Sequence, residues 1–461
     1  MDMHFPRSTT TMKRSVIGAF AVLIWAVVAA GAARAADTKT ISLKNAIDTA
    51  LKANVDLRQS ASLVESREIS VRRSKADFLP DLRLSLGASQ SYGKQQDPIS
   101  NRFEWEHSNS MNLSVSSGLE LFSGFGRVAA LRQSQLQLDA ERKSFARSRE
   151  QVIYETVQQF VLVVLDSELT RVDQENLDSQ KKQLTQIEAF TKAGRRPIVD
   201  LYQQQAAAAD AESRLLVDQR DYEVDMYKLL QIMGVQAEAG YTIVAPDMEG
   251  MTNGLVGLVG EDAAKKALAG RLDVEAQRLQ VEAARKQITA SRAGYWPSLS
   301  ISAGAGTAYR STGGYDFGDQ FYTNNLNASV GISLSASIFD RLATKSNVDQ
   351  AKVQLRQAEL DVVRLELQVE VDVRQALEDY STASKAVEVA VAQSKYSEQA
   401  LNSMEERYRV GASTLVELTQ ARATSLQSTY NLINARYGRL LKGVAVLYYA
   451  GRIDDVLLLF E

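Results

Sequence analysis

One offset organises this chain. From Ala50 to Gly234, residues keep matching others 217 positions further on. Ala50-Leu51 matches Ala267-Leu268, Asp56 matches Asp273, and Pro80 matches Pro297. Leu82, Ser85, Gly87 and Tyr92 match Leu299, Ser302, Gly304 and Tyr309, and Phe122 matches Phe339. Gly194, Val199, Leu201 and Gly234 match Gly411, Val416, Leu418 and Gly451. A register that never drifts means two gap-free copies of one unit, so any element of one copy must be built twice. The expected copies are 36–234 and 263–451. A Gly-rich linker over 235–262, containing Pro246, joins them, and a short tail covers 452–461.

The first 35 residues read as an export signal. Lys13 and Arg14 form a basic start, Val16 to Ala30 an apolar run, and Ala33-Arg34-Ala35 a small-x-small cleavage pattern before Ala36. The run is short for a membrane span of about twenty residues. With no cysteine in the chain, thiolate chemistry, disulfides and an N-terminal lipid anchor are excluded.

Each copy then reads helix, strand, loop, strand, long helix, turn, helix. An amphipathic helix runs from about Leu43 to Phe78 and stops at Pro80; its counterpart starts near Ala263 and stops at Pro297. Strict alternation follows. Leu82, Leu84, Leu86 and Ala88 alternate with Arg83, Ser85, Gly87 and Ser89. The same pattern runs through Met111, Leu113 and Val115, through Leu299 to Ala305, and through Leu326 to Ile338. Strands are therefore expected at about 80–93, 108–122, 297–309 and 326–339, with polar loops over 93–108 and 310–325. Strands of about ten residues suit a membrane barrel better than a soluble sheet. Tyr92 and Trp105 flank the first pair, and Tyr295, Trp296 and Tyr309 the second, where rings prefer the lipid–water interface.

Four strands cannot close a barrel, and an open edge cannot sit in hydrocarbon. The chain must recruit copies of itself; two would give about eight strands, three about twelve and room for a channel. Below the strands, 127–193 and 344–410 are free of proline. Leu131, Leu138, Phe145 and Val152 recur every seven residues, as do Val348, Leu355, Val362 and Val369, which is a coiled-coil seam. Gly194-Arg195-Arg196-Pro197 and Gly411-Ala412-Ser413-Thr414 break the two long helices, and return helices run to about Gly234 and Gly451.

The near-neutral charge of -3 gives no reason to expect a nucleic-acid partner. No cofactor or metal is expected. After signal removal His107 is the one histidine, and neither a Walker loop nor a dinucleotide fingerprint occurs, which argues against an enzyme. A periplasmic or surface coiled-coil scaffold would account for the helices but not for four amphipathic strands with aromatic ends.

The chain resembles the TolC family of outer-membrane channel-tunnels. The resemblance covers nearly all of the mature chain. It rests on the opening from Leu43 to Pro80, on Leu121-Phe122-Ser123-Gly124, and on the hairpin segments Ala193 to Leu201 and Tyr408 to Leu418. It implies a mainly α protein with transmembrane β structure: a homotrimer with a twelve-stranded barrel in the outer membrane and a helical tunnel through the periplasm of a Gram-negative cell. The channel would be passive, driven by an inner-membrane pump of RND, ABC or MFS type through a periplasmic adaptor, for efflux of small molecules or type I secretion of polypeptides. By position Asp200 matches the family's first-hairpin gate acid, Tyr408 its second-hairpin tyrosine, and Glu417 an acidic constriction position. Gly194, Pro197, Gly411 and Thr414 mark the tips where an adaptor would dock. Ser413 stands where well-studied members carry an arginine, and Gln420 replaces a second acid, so Arg195 and Arg196 are candidates for the missing charge. The second copy reads Ile338-Phe339-Asp340-Arg341 and lacks the glycine of the first.

Overall fold

The computed structural model describes residues 39–96, 101–236, 240–245, 270–312 and 314–460. The expected signal segment, most of the linker and the start of the second copy at 263–269 lie outside the described residues. In order, the elements are β1 (Lys39–Ile41), α1 (Leu43–Ala53), α2 (Val55–Ala76), β2 (Arg83–Gln96), β3 (Phe103–Ser123), α3 (Gly126–Lys192), α4 (Ile198–Ile232), β4 (Tyr241–Ile243), α5 (Leu272–Arg292), β5 (Ser298–Arg310), β6 (Asn327–Ser335), α6 (Ala343–Arg409) and α7 (Leu415–Tyr449). A short 3-10 segment closes the chain at Ile453–Phe460.

The 217-residue register holds in the backbone. Helices α3 and α6 are both 67 residues long, α4 and α7 both 35, and each begins and ends 217 residues after its counterpart. At about 1.5 Å per residue, the long helices reach about 100 Å. The seam residues line the packed side: Leu138, Val152, Val348 and Val369 are buried and the other four half-buried. No helix among the described residues is long and apolar enough to cross a membrane.

One expected helix is two. The stretch from Leu43 breaks at Asn54, whose backbone is extended (φ -55°, ψ 132°). Its Oδ1 accepts from the Leu57 amide at 2.9 Å, and its Nδ2 donates to the Ile232 carbonyl at 2.8 Å. Asparagine favours this break because its side chain caps a new helix far better than it continues an old one.

The strands form one antiparallel sheet in the order β2-β3-β5-β6, so the repeats join through β3 and β5. Register sorts the faces. Leu84, Val115, Ala305 and Ala328 lie in one row, and Leu299 with Leu334 and Ile301 with Ile332 continue the same apolar face. The other face is a serine ladder: Ser89 and Ser110 hydroxyls lie 2.8 Å apart, and those of Ser300 and Ser333 2.7 Å. Apolar side chains on the first face stand in the open, Leu84 71% and Val330 76% exposed. A soluble sheet would cover them; lipid covers them here.

Strand limits differ from the sequence expectation. The first hairpin pairs as far as Gln96 with Phe103, through most of the expected loop 93–108. Polar side chains do not end a backbone ladder, and across it Tyr92 stacks on Trp105 (5.3 Å) and lies tilted against His107 (4.3 Å). The fourth strand stops at Ser335 instead of 339. Ser335 already pairs with Ser298, and the next residue on β5's side is Pro297, which has no N–H to give.

The core sits at mid-height, where α1, the parallel β1–β4 pair, and the stretches Val152–Val164 of α3, Met226–Met233 of α4 and Leu440–Leu447 of α7 converge on Phe160. Above it, the turn from strand to long helix takes two consecutive left-handed residues in both copies. These are Gly124 (φ 58°) and Phe125 (65°) in the first, and Arg341 (54°) and Leu342 (66°) in the second. A Cβ on Gly124 would lie 2.7 Å from both the Ala293 carbonyl oxygen and Trp296 Cβ. Gly124→Ala is therefore expected to destabilise the assembly. Arg341→Gly removes a left-handed cost of about 1–2 kcal/mol at an entropic loss of about half that, a net gain of about 0.5–1 kcal/mol. Thermal unfolding of the detergent-solubilised protein checks both signs.

Candidate functional site: the lipid belt and the hairpin tips

Two regions hold the residues singled out from the sequence. Tyr92 and Trp105 in the first hairpin, and Tyr295 and Trp296 just before β5, are all more than half exposed. Trp296 and Tyr309 bracket β5. Thirteen residues at about 3.3 Å each, tilted by about 40°, project to about 33 Å, close to a hydrocarbon core of about 30 Å. Tyr309 is covered by the following loop, against Phe317 at 5.0 Å, which in turn stacks on Phe321 at 4.9 Å. Thr307, one step along the same face, donates to the Phe321 carbonyl at 2.6 Å. The belt is thus thickened by a loop folded back over the lipid side.

At the opposite end, two helical hairpins turn by the same device. Gly194 and Gly411 are left-handed (φ 72° and 77°), a conformation that costs glycine nothing. Arg195 N bonds to Phe190 O and Gly194 N to Thr191 O, at 2.8 and 3.0 Å; Ala412 to Arg407 and Gly411 to Tyr408 repeat this at 2.8 and 3.1 Å. Pro197 and Thr414 then start the return helices.

Between these tips Asp200, Arg196 and Tyr408 come together. Arg196 Nη1 lies 3.6 Å from Asp200 Oδ2, and its guanidinium carbon lies 4.6 Å from the centre of the Tyr408 ring. Both charged side chains are largely covered, 28% and 19% exposed. The cation thus ties an acid of its own hairpin to an aromatic ring of the other. Burial pushes the Tyr408 hydroxyl up; the nearby Asp200 adds to this, while Arg196 and Arg422 oppose it. The ring stays neutral through the physiological range, so the contact is cation on neutral ring.

The repeat explains which residue fills the centre. Arg196 is the counterpart of Ser413, and Asp200 of Glu417, 217 residues on. The first hairpin carries the arginine and the second the serine. Glu417 instead caps its own helix. Its Oε2 accepts from the Thr414 amide at 2.8 Å while the Glu417 amide donates to Thr414 Oγ1 at 3.3 Å, a capping box. These bonds hold the Glu417 carboxyl below its usual range. Ser413 Oγ is buried with no hydrogen-bond partner. Arg195 lies apart from the acid and the tyrosine, over Phe190 at 5.7 Å. Sequence reasoning missed Arg422, which pairs with Glu405 at 2.8 Å one turn from Tyr408; the two lie on different helices, and no spacing rule joins them.

A lipid-facing sheet with two unpaired edges, standing on paired helical hairpins of about 100 Å, defines a class: channel proteins whose barrel continues as a helical tunnel. The family model for outer membrane efflux proteins matches the chain twice, over residues 46–235 and 263–452, once more 217 apart. The chain belongs to the outer membrane efflux protein family. The outer membrane efflux protein BepC of Brucella suis is 22% identical over 447 residues, 94% of this chain and 90% of that one. Crystal structures of CusC (TM-score 0.75, 16% identity, 89% of this chain and 92% of the other) and of the Campylobacter jejuni CmeC outer membrane channel (0.74, 17%, 98% and 94%) share the fold. The protein is an outer-membrane efflux channel that extends into the periplasm.

Proposed function

We propose that three copies of this chain close a twelve-stranded barrel over a helical tunnel and act as the passive, gated outer-membrane conduit of a tripartite exporter. The observation that carries this reading is the sheet: β2 and β6 each leave one long edge unpaired, and every residue of β6 is exposed. Such edges are tolerable in lipid only when another copy pairs with them. Three copies of four strands give a bore with room for cargo, whereas eight strands are filled by their own side chains. Energy comes from an inner-membrane transporter, which engages the tips at Gly194–Pro197 and Gly411–Thr414 through a periplasmic adaptor.

Control sits at those tips. Arg196 takes the place that an arginine at position 413 would hold, bridging Asp200 and Tyr408 and keeping the two hairpins together until the adaptor favours a wider arrangement. The closed and open states differ in this contact, so a partner that binds the open tip better shifts the population. Cargo of either kind, small molecules or secreted polypeptides, fits a conduit of this class. Native mass spectrometry in detergent is expected to give three chains, and the same material is expected to conduct in planar bilayers. A mass of one or two chains, or failure to insert, overturns the reading.

A further inference from the structure

The two hairpins of the chain are alike in length and backbone but not in the chemistry of their contact. Along the packed faces of α3 and α4 stand two pairs of acids. Asp166 meets Asp225, and Asp173 meets Asp218. Each pair is separated from the next by seven residues on either helix, so all four lie on facing stripes. Asp173 is 1% exposed, and the hydroxyl of Tyr430, reaching over from α7, donates to its Oδ1. Oδ2 of Asp166 is buried and has no hydrogen-bond partner. A carboxylate oxygen shut off from water without a donor lacks what a bound proton supplies.

Of the cations nearby, Lys228 holds Asp225 and leaves the proton to Asp166, while Arg214 and Arg171 are engaged by other acids. From α4, Asp210, Arg214, Asp218, Asp221, Asp225 and Lys228 face this stretch; from α7, Tyr430 does. Lys228 pairs with Asp225 at 2.5 Å and Arg214 with Asp210 at 3.2 Å. Arg171, on α3 itself, is clamped by Glu168 and Glu175, both at 2.6 Å. In the second hairpin the equivalent positions are Ala383 and Lys442, and Ala390 and Ala435. The acid pairs therefore belong to one hairpin alone.

We propose that the α3–α4 hairpin carries a pH-sensitive clamp. Asp166–Asp225 and Asp173–Asp218 each share a proton that lets the helices pack, and losing it drives this one hairpin apart while α6–α7 stays closed. The direction of titration agrees. Burial first, and the neighbouring acid second, push the carboxyls of Asp166 and Asp173 each up to about 7. A carboxyl that binds its proton more tightly folded than unfolded contributes stability that is full below the usual carboxylate range. That stability is lost as pH rises through about 7. Asp173 lies about 30 Å along α3 from the turn at Gly194, between the mid-height core and the tip. Loosening there changes how one set of hairpins can spread without touching the other. The inference concerns packing within one chain and does not depend on which residues form the gate.

Hydrogen exchange on the full-length protein in detergent tests it, with α6–α7 as a control inside the same molecule. Between about pH 6 and pH 8, protection over 160–180 and 210–228 is expected to fall about tenfold for each shared proton relative to 377–397 and 427–445, most of it below about pH 7 and levelling off above, where the closed hairpin no longer holds a proton that the opened one lacks. Asp166→Asn with Asp173→Asn, which keeps shape and removes titration, is expected to abolish the difference; Asp218→Asn with Asp225→Asn is a second route to the same result should the first variant not assemble. The proposal is overturned if the two hairpins track each other across this range in the wild type, or if an assembled Asn variant keeps the wild-type pH dependence.

Discussion

Arg196→Ala is expected to raise single-channel conductance in planar bilayers as much as removing Asp200 and Tyr408 together. The cation–ring contact is worth about 0.5–2 kcal/mol and the largely covered but long (3.6 Å) ion pair up to about 1 kcal/mol. If they form the proposed gate, three such links in a trimer, at about 1–2 kcal/mol each, would bias the tip toward closure by about 3–6 kcal/mol. That is two to four powers of ten in the closed-to-open ratio. Because all three side chains act through one guanidinium, the effects are not additive: Arg196→Ala combined with Asp200→Ala and Tyr408→Ala is expected to open little further than Arg196→Ala alone. Arg196→Lys keeps the charge but loses the flat face that lies on the ring, and falls between wild type and alanine. Moving the arginine to the other hairpin, with Arg196→Ser and Ser413→Arg, is expected to restore much of the closure. Wild-type conductance in Arg196→Ala would remove this residue from the gate.

The parts legible in the sequence were those that glycine, proline and periodicity punctuate. Gly194, Gly411, Gly234 and Gly451 mark helix ends to within a few residues, because a left-handed stop has few other solutions. The amphipathic strands were visible because one face meets lipid and the other does not. Their ends were not: Gln96 and Phe103 pair although nothing in their polarity requires it, and Ser335 stops because of a proline on the neighbouring strand. Asn54 hid a helix break because the buried spacing from Ala50 to Leu57 runs through it, although asparagine favours a cap over a helix interior. At the tips, Asp200 and Tyr408 were candidates by position and Arg195 and Arg196 for the missing charge, but which arginine lies between them depended on which side chains two hairpins bring face to face. The 217-residue register held that information in outline, since it places Arg196 and Ser413 on equivalent sites. The same register, read at Asp166 and Asp173 against Ala383 and Ala390, marks where the copies have diverged in chemistry while keeping the backbone.

The largest expected loss of stability comes from the junction of the two repeats, where Arg271→Ala strands a covered carboxylate. Arg271, 5% exposed, donates to Asp273 at 2.5 and 3.0 Å and reaches toward Asp372 at 3.9 Å. Arg147, 8% exposed, lies 3.9 Å from the same Asp273, donates to Glu150 at 2.7 Å, and rests 4.0 Å over the Tyr448 ring, which stacks on Tyr154 at 4.4 Å. Four helices (α3, α5, α6 and α7) thus meet through two arginines. The first repeat solves the same place more simply: Asn54, the counterpart of Arg271, bonds the Ile232 carbonyl, as Arg271 bonds that of Tyr449, and Asp56 stands in solvent. Because Asp273 is covered, the arginine cannot be removed without cost. About 3–5 kcal/mol follows from breaking a buried pair on one side, and the lower end applies because a quarter of the Asp273 side chain is exposed. Arg271→Asn, which recreates the first repeat's residue, is expected to lose nearly as much unless Asp273→Asn accompanies it; the double variant is expected to recover most of the loss. Burial pushes Asp273 up, but Arg271 and then Arg147 more than offset it and hold the carboxyl below its usual range. Its contribution is therefore present above the usual carboxylate range and is lost as pH falls beneath it, the opposite sign to the acid pairs of α3–α4. Heat or denaturant unfolding across pH reads both: acid is expected to erase the difference between wild type and Arg271→Ala. A difference that persists unchanged in acid would mean that packing, and not the ion pair, sets the value of Arg271.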